Sequence, residues 1–198
     1  MVGRIRTVIA HHEAGHAVIA RKLGIPVPWV STRDRGALTH SAAWSSMNNA
    51  DIEARAAAYE SDAVVALAGP AAQRRLKGYE DMFVTDNLFK DGHGAGEGRL
   101  CRAGDDRDGD MTVARSAIFR AICLRRGKPL PDGPTRLTLG PLEIDAITEA
   151  FDRLQTQTIR LVRERWPAIA RVAKALGRHD RIDQTELDRL IAVALPAR

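Results

Sequence analysis

The chain has 198 residues, 44% hydrophobic and only 5% aromatic, which suits one domain with a buried core and argues against an aromatic-rich sandwich or barrel. Its 30 Lys and Arg against 25 Asp and Glu leave a formal charge of +5, but much of the basic excess is spread over the C-terminal half. That pattern reads as solvated surface, and nucleic acid is not an expected partner.

Cys101 and Cys123 have no paired spacing, so neither a disulfide framework nor a cysteine zinc knuckle is expected. The apolar stretch near the N-terminus is interrupted at His11, and no segment approaches the roughly 20 apolar residues of a membrane helix. A cytoplasmic protein without a membrane segment is the expectation.

Alanine runs, including Ala54, Ala56, Ala57 and Ala58, predict a mainly α fold. The first helix is expected from an N-cap at Thr7 to Leu23, with Gly24 as its stop and Pro26 beyond. Residues 29–32 and 37–41 read as the arms of a short β-hairpin, a possible edge for peptide strand addition. Asp51 opens a second helix reaching Leu76, where Gly69 and Pro70 predict a kink or break because proline removes a donor and clashes with the preceding turn.

Residues 78–109 form an acidic, glycine-rich loop, long enough to be functional or disordered. Asp110 is expected to cap a third helix to Arg126, stopped by Gly127. A linker over 128–140 precedes a long amphipathic helix from Pro141 to about Trp166, and Pro167 marks either a kink or a new helix. Asp183 and Glu186 have the spacing of a capping box for a last helix, Gln184–Ala194. One domain over 1–198 is the expected organisation.

His12, Glu13, Ala14, Gly15 and His16 make an H-E-x-x-H inside the first predicted helix. At about 100° per residue, His12 and His16 leave the helix from one face a turn apart, where two imidazoles can grip one zinc ion. Glu13 is poorly placed as a third ligand beside its helical neighbours, but well placed to take a proton from water on the metal and pass it to a leaving amine. His11 lies about 100° around the helix from His12 and reads as a neighbour, not a ligand.

The third ligand has to come from elsewhere. A metzincin extension fails, because Ile19 stands where it needs Gly and Lys22 where it needs His. Glu53 and Glu60 are candidates on the second helix, and Asp105, Asp106, Asp108 and Asp110 ahead of the third. These aspartates are not a calcium loop, since Met111 occupies the place of the obligatory Gly and Ala117 that of the bidentate Glu. Acids gathered at a helix N-terminus are also explained by capping and the dipole alone.

Two further segments stand out: Leu67, Ala68, Gly69, Pro70, Ala71, Ala72, and Asp110, Met111, Thr112, Val113, Ala114. With the H-E-A-G-H they resemble the peptidase domain of the FtsH family of zinc metalloproteases, which carries an L-x-G-x-A-A beside the zinc helix and a D-x-x-x-A at a helix start. The resemblance implies a helical zinc-metallopeptidase domain with a short β-hairpin after the zinc helix. It implies Zn2+ on His12, His16 and Asp110, with Glu13 as general base. Pro70 replaces an ordinary helical residue of the family, and Gln73 stands where the family has an acid.

No G-x-x-x-x-G-K-[ST] occurs, so hydrolysis is expected to need no ATP and to favour unfolded or flexible polypeptides. The alternative is a non-catalytic zinc-binding adaptor of the same fold that recognises a protein partner. Glu13 argues against it, because a structural metal site has no use for that carboxylate.

Overall fold

A computed structural model describes residues 2–32, 51–76, 109–130 and 141–194. Its elements are α1 (Val2–Lys22), β1 (Trp29–Ser31), α2 (Ile52–Arg75), α3 (Gly109–Arg125), α4 (Pro141–Glu164), α5 (Trp166–His179), β2 (Arg181–Asp183) and α6 (Gln184–Ala194). The described residues are mainly helical and include one short antiparallel pair of strands. None of the described helices is long and apolar enough to cross a membrane.

The centre of the fold is α2, which packs against α1, α3 and α4. Every residue from Ala63 to Pro70 is buried, so this stretch is covered all round rather than along one stripe. Small side chains make that possible. A Cβ added at Gly15 of α1 would stand 2.6 Å from the Ala68 carbonyl oxygen and 2.8 Å from the Ala72 Cβ, so α1 and α2 touch nearly backbone to backbone.

The same burial explains why α2 runs through Pro70 as one helix, so that of the expected kink or break the break does not occur. Pro70 has no N–H to donate and costs an isolated helix about 3 kcal/mol or more. Here it is itself part of a buried wall enclosed by neighbouring helices. Asp51 caps α2 as expected, its carboxylate accepting from the Ala54 N–H at 2.7 Å.

α1 starts at Val2, so Thr7 lies within the helix and is not its cap. The Arg6 guanidinium reaches across the fold to the Asp180 carboxylate, a tertiary anchor for the added N-terminal turn. The other end of α1 is as read: Gly24 takes φ +78°, and the Ile25 N–H bonds the Ala20 carbonyl at 2.9 Å while the Gly24 N–H bonds that of Arg21. α3 closes the same way on Gly127, at φ +62°.

β1 occupies the expected first hairpin arm, but its partner among the described residues is β2, far along the chain. Trp29 pairs with Asp183, Val30 with Ile182 and Ser31 with Arg181. The other expected arm, 37–41, lies outside the described residues, as do 77–108 and 131–140, and with them nearly all of the predicted acidic loop and most of the linker.

α4 buries Ile147, Phe151, Leu154, Thr158 and Leu161 at helical spacing. It stops at Glu164, and Pro167 sits in the first turn of a separate helix, α5. The expected capping box is half formed. Asp183 accepts from the Glu186 N–H at 2.9 Å, while the Glu186 carboxylate turns to Arg189 at 2.7 Å.

Candidate metal centre

The H-E-x-x-H lies in the middle of α1, with Ala14 and Gly15 turned into the packing interface and the histidines turned along it. His12 and His16 stand one turn apart, their ring centroids separated by 4.6 Å. Between α1 and α2 the gap is narrow enough that a Cβ at Gly69 would lie 2.3 Å from His16 Nε2 and 2.9 Å from His12 Cε1. The absence of a side chain at Gly69 is therefore what lets both rings occupy the interface.

Asp110 enters from the first turn of α3. It is inside the helix rather than capping it, and its carboxylate is directed at the two imidazoles. Its Oδ2 is 2.9 Å from His12 Nε2 and 3.3 Å from His16 Nε2, and the two Nε2 atoms are 3.0 Å apart. These three residues form a group able to hold one metal ion.

The donor triangle fits zinc. Donors about 2.0–2.1 Å from a tetrahedral ion stand about 3.3 Å apart, close to all three observed edges. Two imidazoles and one carboxylate leave a coordination position open, as catalytic zinc sites do. The side chains of His16, His12 and Asp110 are 7%, 19% and 31% exposed, so the cluster is sealed on the α2 side and opens to solvent toward Asp110.

His16 is oriented from behind. Its Nδ1–H donates to the Val65 carbonyl at 2.7 Å, which leaves Nε2 with a free lone pair for a metal. Val65 was not singled out in the sequence, and a backbone carbonyl leaves no residue-type signal to find. Without metal, burial works against a charged His16, but the Asp110 carboxylate, its hydrogen bond, the Glu13 charge and the Val65 carbonyl outweigh it and raise the imidazole to about 9. Burial opposes ionisation of Asp110 too, yet His16 and His12 hold it well below the ordinary carboxylate range.

Glu13 is partly buried next to the pair. Burial raises its pKa, the two histidines pull it back, and Asp110 pushes it further up. A carboxylate with raised proton affinity beside a metal site is suited to accepting a proton.

The other residues weighed as ligands do other things. Glu53 and Glu60 belong to an ionic cluster joining α2, α3 and α4: Arg125 bonds Glu53 at 2.7 Å and Glu60 at 2.6 Å, and Arg153 bonds Glu60 at 2.6 Å. Hydrogen bonds from Arg125 hold Glu53 below the usual range; at Glu60 burial opposes the same effect, and the two arginines prevail. Asp105, Asp106 and Asp108 lie outside the described residues.

His11, as expected from its angle on the helix, faces away from the cluster. Its ring stacks on Trp166 at 5.6 Å, and Arg75 lies 5.0 Å from the same indole. In comparison with known proteins, no family model and no curated protein matches the chain.

Proposed function

We propose that this protein is a zinc-dependent, ATP-independent endopeptidase of the FtsH-like type acting on unfolded or flexible polypeptides. The observation that carries the reading is the triangle of His12 Nε2, His16 Nε2 and Asp110 Oδ2, with edges of 3.0, 2.9 and 3.3 Å, beside the partly buried Glu13 that follows His12 on α1. His12, His16 and Asp110 would hold the ion. When bound, zinc supplies Lewis acidity, making water a better nucleophile and polarising the scissile carbonyl.

The chain's own residues divide the remaining work. Val65 fixes His16 in the tautomer that exposes Nε2. Glu13 takes the proton of the attacking water and delivers it to the leaving amide nitrogen, a transfer that its raised proton affinity favours. The sequence contains no phosphate-binding loop, so no motor within it unfolds a compact substrate.

Glu13→Gln tests the reading. Zinc content is expected to stay at one per chain while hydrolysis of casein falls by about 10² to 10⁴, the usual worth of a general base. A chelator abolishes wild-type cleavage, and added nucleotide changes nothing. Undiminished cleavage by Glu13→Gln overturns the mechanism. A zinc-loaded wild type inert on every unfolded substrate identifies the adaptor instead.

A further inference from the structure

Two buried polar atoms on α1 and α2 have no hydrogen-bond partner among the described residues: Nδ1 of His12 and Oε1 of Gln73. Their chemistry is complementary, because Nδ1 donates when it carries the ring proton and the amide oxygen only accepts. A histidine that ligates through Nε2 keeps its proton on Nδ1, and that proton needs an acceptor. His16 has one in Val65. His12 has none.

The helix geometry indicates where it comes from. α1 and α2 run antiparallel, since His16 bonds Val65 while Gly69 faces both His16 and His12. Gln73 is one turn beyond Gly69 on the same face of α2. Side chains on a helix lean toward its N-terminus. His12 therefore leans along α1 toward the level of Gln73, and Gln73 leans along α2 back toward the level of His12. Its Oε1 gives up no bond by turning to the ring.

We propose that Gln73 is the positioning residue for His12: its Oε1 accepts the His12 Nδ1–H and holds the ring with Nε2 toward Asp110 and His16. The inference rests on reading His12 as a metal ligand through Nε2. Gln73 touches neither metal nor substrate and acts only through the ring.

Full-length Gln73→Met removes the acceptor at similar length, and Gln73→Glu keeps an acceptor oxygen. Zinc affinity, measured by chelator competition, is expected to fall about 10- to 100-fold in Gln73→Met and to be retained in Gln73→Glu. The His12 Nδ1–H proton resonance, followed in 15N-labelled protein with and without zinc, is expected downfield in wild type and Gln73→Glu and shifted upfield in Gln73→Met. If Gln73→Met matches wild type in affinity and in that resonance, the proposal is overturned. A wild type without zinc affinity whose His12 resonance still follows residue 73 overturns the metal reading alone and upholds the hydrogen bond.

Discussion

Gly69 and His16 sit on different helices, and the Cα of the first faces the ring of the second so closely that a Cβ would lie 2.3 Å from Nε2. The ring cannot yield easily, being 6% exposed and bonded to Val65. Replacing a helical glycine by alanine gains about 1 kcal/mol of intrinsic helix stability, but overpacking a rigid contact costs about 1–3 kcal/mol. Gly69→Ala is expected to lower the melting temperature and to weaken zinc binding at least about tenfold, the loss typical of a disturbed outer-shell partner. Thermal melts and chelator competition measure both, and unchanged affinity would mean that the rings do not bind metal in this arrangement.

Gly15→Ala probes the same helix pair away from the two histidine rings. The new Cβ would stand 2.6 Å from the backbone oxygen of Ala68, an atom that moves only if α2 moves. The helix-propensity gain of about 1 kcal/mol is again outweighed, so urea denaturation is expected to show a net loss within the 1–3 kcal/mol range of overpacking. A stabilised variant would show that the two helices are further apart.

Asp110→Asn keeps the shape of the side chain and removes its charge. Zinc affinity is expected to drop by more than the 10- to 100-fold typical of an outer-shell partner. Glu53→Gln and Glu60→Gln are expected to leave it unchanged, because those carboxylates are engaged by Arg125 and Arg153. Metal analysis of the purified variants distinguishes the outcomes, and zinc loss in Glu60→Gln would transfer the third-ligand role.

The metal-free protein should carry a pH signature. His16 is raised from 6.5 to about 9, so its contribution to stability is complete below about 6.5 and lost as pH rises through 9. Asp110 is lowered from 3.8, so its contribution is present above that value and lost as pH falls below it. In a chelator, melting temperature is therefore expected to fall on both the acid and the alkaline side, with the alkaline fall absent in His16→Ala. Zinc binding would displace the His16 proton, so apparent zinc affinity is expected to rise with pH up to about 9.

Local patterns in the sequence were enough to place most helices, because caps, glycine stops and 3.6-residue periodicity act within a turn or two of chain. Asp51, Gly24, Gly127 and Pro167 each do in the structure what their chemistry dictates nearby. The pairing of His12 with His16 was legible for the same reason, both side chains being set by one helix. Long-range outcomes were not. β1 finds β2 from the far end of the chain, Arg6 near the start of α1 pairs with the distant Asp180, and α2 tolerates Pro70 because neighbouring helices enclose it. Asp110 was marked only through the D-x-x-x-A resemblance, which does not say what brings that acid within 3.3 Å of two imidazoles, and the orientation of His16 depends on a backbone carbonyl of α2. Residue type and spacing alone do not fix such contacts, because what decides them is how closely two backbones approach, and here Gly15 and Gly69 allow that approach only once the helices are packed together.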